Sequence, residues 1–127
     1  MVVASGNVVH NLRRVEWGRP DAAFDWAERF DDAVAAQMAE APDGILKLVE
    51  HPDYALAVPT PDHFVPLLYL AGLAAADGKA AEPLLRGYAM GSISMSGYAL
   101  GTGAPQGEEA AGAATLPAGV PPDQTNM

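Results

Sequence analysis

Hydrophobic residues follow a different spacing in each part of this chain. Residues 1–9 are apolar, with four valines, and only a short polar step interrupts them. β-Branched side chains suit a pleated, buried surface, so we predict a strand over residues 1–9 that ends beside His10. A core strand with nothing before it is unusual, and the pattern therefore also favours a chain from which an N-terminal part has been removed.

A surface-packed helix is predicted for the next segment, because its apolar side chains recur at spacings of three and four residues. These positions are Ala27, Phe30, Val34 and Met38. Asp21 is a suitable N-cap for this helix. Charged residues between the apolar positions, including Asp31, are expected on the solvent-facing side.

A second helix is predicted after Thr60, which is a good N-cap. Pro61 suits the first helical position and Asp62 complements the positive end of the helix, so His63 is expected in the first turn. Pro66 removes a backbone donor, and we expect an irregular opening turn. The apolar run over residues 64–76 is shorter than the roughly 20 residues of a membrane span, so it predicts a buried helix.

The last regular elements are predicted strands over residues 84–88 and 92–100. In the second strand, Ile93 and Met95 alternate with Ser92, Ser94 and Ser96. A period of two predicts one buried face, and the serines are assigned to the polar face. Residues 102–127 are rich in glycine and proline and contain no aromatic residue, a composition that predicts a disordered tail. The folded unit is therefore expected over residues 1–101.

Composition narrows the class of protein further. The chain has 127 residues, of which 50% are hydrophobic, as expected for one globular domain. Its net charge of -9 repels phosphate backbones and anionic lipid, so nucleic acid and membrane surfaces are poor partners. The sequence has no cysteine and shows no export signal. The cytoplasm is therefore the expected location.

His10 and His63 are the candidate functional residues. A histidine binds a metal in its neutral form, and the first turn of a helix disfavours the imidazolium, so the position of His63 suits a ligand. On position alone, a structural role is still the commoner one for each of these two histidines. His51 has no ligand-like spacing and is assigned a surface or supporting role. Arg13 and Arg14 could attract a substrate carboxylate, although solvated loop arginines are the simpler interpretation.

Two strings contain these histidines: SGNVVHNL at residues 5–12 and PTPDHFVPLL at residues 59–68. Together they resemble the C-terminal half of the class III extradiol ring-cleavage dioxygenases, the superfamily of the protocatechuate 4,5-dioxygenase catalytic subunit. Within it, the DOPA-extradiol dioxygenase branch is the most similar.

The resemblance implies an α/β domain, with residues 1–101 forming the C-terminal half of a three-layer α/β/α fold that has a partial mixed sheet and flanking helices. It implies an enzyme that opens a catechol ring with O2. His63 is then a metal ligand, and His10 is an acid or base that in some members also contacts the metal. Fe(II) is the expected cofactor, with Zn(II) as the alternative.

Two departures from the family limit what the resemblance implies. The family's metal site takes two further histidines from an N-terminal half that this sequence does not contain, so the chain is expected to be inactive alone. Val58 stands where many relatives have another histidine, which weakens any inference about the substrate. The alternatives are a non-catalytic interaction or regulatory half that pairs with a separately encoded N-terminal partner, a homo-oligomer, an inert gene product, or a misplaced start site.

Overall fold

A computed structural model describes residues 1–101 of the chain. The predicted disordered tail over residues 102–127 lies outside this range. The helices are α1 (Asp25–Glu40), α2 (Tyr54–Ala57) and α3 (Val65–Ala76), and 3-10 helices cover Leu12–Arg14, Pro42–Glu50 and Pro61–His63. The strands are β1 (Val2–Ala4), β2 (Glu82–Leu85), β3 (Tyr88–Ala89), β4 (Ile93–Ser94) and β5 (Gly97–Leu100). These elements confirm the predicted α/β class.

The strands form two small sheets. One has the order β1-β5-β2 and the other pairs β3 with β4, and the strands of every pair run antiparallel. In the first sheet, Val3 lies opposite Ala99, which sets the register of β1 on β5. An isolated antiparallel bridge joins His10 to Ile93, and a parallel bridge joins Ala23 to Gly91. The bridge at His10 connects the second sheet to the N-terminal segment.

The core lies between α1, α3 and the first sheet. The apolar residues predicted to face inward from α1 are all fully buried: Ala27, Phe30, Val34 and Met38. They pack in one cluster with Leu67 and Leu70 of α3 and with Tyr98 of β5. Among residues 1–101, no helix combines the length and the apolar character that crossing a membrane requires.

The N-cap predicted for α1 is wrong. The helix begins after Phe24, and Asp21 lies in a turn before it. The backbone N–H of Phe24 donates to Gly91 at 2.8 Å, and the N–H of Gly91 donates to Ala22 at 2.8 Å. These bonds hold residues 22–24 against another segment, so the helix cannot start earlier.

The predicted first strand is too long. β1 ends at Ala4, so His10 does not lie at its end. The side-chain amide of Asn7 donates to the carbonyl oxygen of Ser94 at 2.8 Å, which draws the chain away from the first sheet. A Cβ built on Gly6 would lie 3.4 Å from the carbonyl oxygen of His63, so this turn packs closely on the loop that carries the second histidine.

The face assigned to the serines is also wrong. Ser92, Ser94 and Ser96 are 0%, 0% and 2% exposed, whereas Met95 is 49% exposed. Ile93 is buried as predicted. A buried hydroxyl is tolerated when it has a hydrogen-bond partner, and each of these serines has one. The partners of Ser92 and Ser94 are the residues on either side of His10, and the partner of Ser96 is the buried carboxylate of Asp31.

Candidate functional site

His10 is held from both sides by backbone hydrogen bonds. Its N–H donates to the carbonyl oxygen of Ala57 at 2.9 Å, while the residues next to it bond to the segment that contains β4. The N–H of Ser94 donates to Val9 at 2.9 Å, and the N–H of Asn11 donates to Ser92 at 3.1 Å. His10 therefore lies in an extended segment between two other parts of the chain, and hydrogen bonds hold its backbone on both sides.

Buried side chains strengthen this arrangement. The Ser92 hydroxyl donates to the carbonyl oxygen of Asn11 at 2.7 Å, and the N–H of Val9 donates to the Ser94 hydroxyl at 3.1 Å. The side-chain amide of Asn11 donates to the carbonyl oxygen of Leu56 at 2.8 Å. Sequence reasoning missed these supporting residues. The available signal was a serine at every second position of an otherwise apolar strand. The alternating pattern predicted these serines on the polar face, whereas they lie on the buried one.

The sequence predicted His63 in the first turn of a helix that begins at Pro61, and the structure places it in a separate 3-10 turn just before α3. It closes the 3-10 helix Pro61–His63, which follows Thr60 and has proline at its start. α3 begins after Phe64 as a regular α-helix with Pro66 in its first turn, so the irregular part lies before it, in residues 61–64, and not at Pro66 as predicted. The side chain of Thr60 caps no helical N–H here. Instead, a hydrogen bond from this side chain lowers the pKa of Asp62.

The two predicted site residues are brought together although 53 positions separate them. The imidazole rings of His10 and His63 are stacked, with their centroids 3.6 Å apart and an angle of 19° between their planes. Burial, and then the neighbouring His63, lowers the pKa of His10 below its usual value of 6.5. Oδ2 of Asp62 lies 3.4 Å from Nε2 of His63. At neutral pH, His10 is therefore a free base and lies next to a second imidazole that has a carboxylate partner.

The remaining candidates lie elsewhere or lack comparable contacts. Nδ1 of His51 accepts a hydrogen bond from the N–H of Asp53 at 3.1 Å, and its ring packs edge-on against Phe30 at 5.4 Å. Those contacts are structural and agree with leaving His51 out of the site. Arg13 and Arg14 are exposed in the 3-10 helix that follows His10. They are close to the site in sequence, and their guanidinium groups remain candidates for a substrate carboxylate.

Neutral imidazoles are common ligands of Fe(II) and Zn(II), and the His10–His63 pair fits part of such a site. Within residues 1–101, no three side chains of histidine, cysteine, aspartate or glutamate come together as metal ligands. Metal sites in proteins usually take three or four protein ligands. The pair therefore offers two donors, and a complete site would need others.

A second polar cluster surrounds Asp31, which the sequence had assigned to the solvent-facing side of α1. The residue is fully buried. Its carboxylate accepts a hydrogen bond from Nη2 of Arg86 at 2.7 Å and another from the hydroxyl of Ser96 at 2.9 Å. The hydroxyl of Tyr88 donates from 3.3 Å. These contacts explain how a carboxylate can lie in the core, because its charge has a partner and its oxygens have donors.

The chain resembles known proteins in both sequence and structure. It is 40% identical over 108 residues to the 4,5-DOPA dioxygenase extradiol of Escherichia coli (strain K12), a match that covers 80% of this chain and 38% of the relative. The crystal structure of an uncharacterized protein from Escherichia coli K12 superposes with a TM-score of 0.64 at 36% identity. That superposition covers 73% of this chain and 39% of the other. No family model matches the sequence.

These likenesses identify the chain as a relative of the class III extradiol dioxygenases, which confirms the relationship that the two histidine-bearing strings predicted. The chain spans less than two fifths of the length of either protein that it matches. A match of this partial length fits the prediction that the chain corresponds to the C-terminal half of the dioxygenase domain.

Proposed function

We propose that this chain is the part of a metal-dependent extradiol ring-opening dioxygenase that carries His10 and His63. The substrate class is a catechol of the DOPA type, which reacts with O2, and the proposed location is the cytoplasm. The stacked pair of imidazoles is the observation that carries the proposal, because both rings come from the strings that resemble the family and they meet in one place. The name of the relative from Escherichia coli supports the same reaction.

His63 and His10 are the residues proposed to hold the metal, which is Fe(II) in the leading hypothesis and Zn(II) in the alternative. A bound Fe(II) would supply the redox chemistry that lets O2 react with an aromatic ring. The lowered pKa of His10 favours this use, because a metal competes with a proton for the same nitrogen. Asp62 can orient the ring of His63 through its contact at Nε2, as carboxylates often do for metal-binding histidines.

His10 is also the proposed acid or base. A free imidazole can accept a proton from a catechol hydroxyl and return it later, provided that the ring is positioned. The bonds from Ala57 and the β4 segment supply that positioning. Because His10 is unprotonated at neutral pH, it is ready to act as a base in the resting protein.

A second candidate function is an interaction or regulatory half that is not catalytic alone and pairs with a separately encoded N-terminal partner. It is favoured by the two-donor site within residues 1–101 and by the fraction of the relative that the chain spans. The two proposals make different predictions for a reconstituted protein, since only the first predicts ring cleavage.

The test is a metal titration with catechol-dependent oxygen uptake as a second measurement. The full chain alone should bind Fe(II) or Zn(II) weakly and consume no oxygen. Adding the part of the Escherichia coli relative that lies outside the match, as a separate polypeptide, should create a tight site and oxygen uptake. In that mixture, His63→Ala should lose metal, and His10→Ala should lose turnover more than metal.

His51→Ala is the matched control, because it removes an imidazole outside the pair. It should retain both metal binding and oxygen uptake. Full metal occupancy and undiminished turnover in both His10→Ala and His63→Ala would show that neither histidine belongs to an active site. Tight metal binding without oxygen uptake under any condition would favour the non-catalytic alternative.

A further inference from the structure

An apolar groove lies between β1 and α3. It has a volume of about 410 Å³. Its lining includes Val2 and Val3 from the strand and Tyr69 and Leu73 from the helix. These four side chains are 45%, 50%, 73% and 48% exposed. Apolar side chains that lie together and face solvent often mark a surface that another polypeptide covers.

The composition of α3 supports the same conclusion. The helix contains no charged residue, and apolar side chains surround it on all sides. One side packs into the core through Leu67, Leu70 and Ala74. A helix that is hydrophobic all round is normally buried all round. The side that carries Tyr69 and Leu73 is therefore exposed, although its apolar sequence is typical of a buried surface.

β1 is open in two ways. It is an edge strand of the sheet β1-β5-β2, so one side of its backbone has no neighbouring strand within the described residues. Successive side chains of a strand point to opposite faces, yet Val2 and Val3 are both about half exposed. A valine-rich strand with both faces available is typical of one buried on both faces in a larger sheet. An unpaired edge of this kind accepts an added strand.

The groove is also continuous with the candidate site. Asp62 lines it, and Oδ2 of Asp62 lies 3.4 Å from Nε2 of His63. A polypeptide that lies in the groove would therefore reach Asp62, next to the histidine pair, where further metal ligands are needed. A second copy of the chain is a poorer occupant. Each copy carries a net charge of -9, so two copies repel each other.

We propose that β1 and the exposed side of α3 form the docking surface for the remainder of the dioxygenase domain, which adds an apolar strand to the edge of β1. This inference rests on the proposed function, because it takes its partner from that family. The partner is identified by its chemistry: an extended segment with apolar side chains on both faces, leading to metal-binding side chains at the His63 end.

Cysteine labelling tests the surface directly, because the chain contains no native cysteine. Val3→Cys and Tyr69→Cys report on the groove. Leu85→Cys is the matched control, since Leu85 is 62% exposed on β2 at the opposite edge of the same sheet. The part of the Escherichia coli relative outside the match serves as the partner. Its addition should slow labelling at both groove positions by about tenfold and leave the control unchanged, as burial of a local patch predicts.

Three outcomes would overturn the proposal. The first is equal labelling at all three positions in a mixture that binds metal and consumes oxygen. This result would reject the docking surface, and the proposed dioxygenase function would still hold. The second is slower labelling at higher concentrations of the chain alone, which would assign the groove to a second copy. The third is protection in the dilute chain alone, which would assign it to the chain's own residues. Protection at the groove positions by the partner without oxygen uptake would support the docking surface and reject the proposed reaction.

Discussion

Replacing Arg86 tests the buried Asp31 cluster, which neither the hydrophobic pattern nor the candidate chemistry predicted. We propose the variant Arg86→Leu. Nη2 of Arg86 lies 2.7 Å from Asp31 and 2.6 Å from Asp32, so one guanidinium joins α1 to the segment between β2 and β3. Asp31 is fully buried, and removing its cation leaves a carboxylate in the core without a counterion.

The expected cost follows from these contacts. Breaking a buried ion pair by removing one partner costs roughly 3–5 kcal/mol. The cost should fall near the lower end, about 3 kcal/mol, because the Arg86 side chain is 37% exposed and water screens its charge. Ser96 and Tyr88 still donate to the carboxylate in the variant. For a domain of about 100 residues, a loss of this size lowers the thermal midpoint by roughly 12–24 °C.

Urea and thermal unfolding followed by circular dichroism would measure the change. Arg19→Leu is the control, because its bond to Glu16 joins two half-exposed side chains and should contribute at most about 1 kcal/mol. Adding Asp31→Asn to Arg86→Leu should recover about 1–2 kcal/mol, since a neutral amide needs no counterion. If Arg86→Leu costs no more than Arg19→Leu, the buried carboxylate does not depend on its cation and the reasoning fails.

Three other variants test single features of the structure. Tyr98→Phe should leave the free energy of unfolding in urea unchanged or raise it by up to about 1 kcal/mol, because the buried hydroxyl has no hydrogen-bond partner within residues 1–101. A decrease of more than about 1 kcal/mol would show that the hydroxyl has a partner. The pKa of His10 is lower in the folded chain than the usual 6.5, so its contribution to stability is complete above pH 6.5 and is lost as the pH falls toward the folded pKa. His10→Gln should flatten that part of the stability curve, and an unchanged slope would contradict the shift. Gly91→Ala should destabilise by about 2 kcal/mol or more, since its φ is +79° and its Cβ would lie 2.6 Å from Phe24; Gly72→Ala meets no atom within 4 Å and should not destabilise.

The local sequence pattern was sufficient to predict burial where the periodicity of a single helix decides which residues face the core. The spacing of the apolar residues in α1 predicted which of them are buried, because a helix turns with a fixed period and one side must face the core. The proline and acidic residue before His63 predicted a helical turn there, since capping and φ restriction act between near neighbours, although this turn is a 3-10 helix separate from α3.

Which face of each short strand is buried depended on partners far away in sequence. A period of two shows that Ser92, Ser94 and Ser96 share a side, and it does not show which side is buried. Their burial depends on hydrogen bonds to Asn11, Val9 and Asp31. Asp31 is a charged residue of the kind expected on the solvent-facing side, and it can lie inside because Arg86 neutralises it while Ser96 and Tyr88 donate to its oxygens.

The candidate site combines both kinds of information. Residue type and the flanking strings identified His10 and His63 as candidates, because imidazole is suited to metal binding and proton transfer. Their stacking at 3.6 Å is a property of the fold. It arises because the turn at Gly6 packs on the loop of His63, while Ala57 and the β4 segment hold the backbone of His10. Contacts of such long sequence separation leave no local signal, so the sequence determined which side chains could act and the tertiary structure decided that they meet.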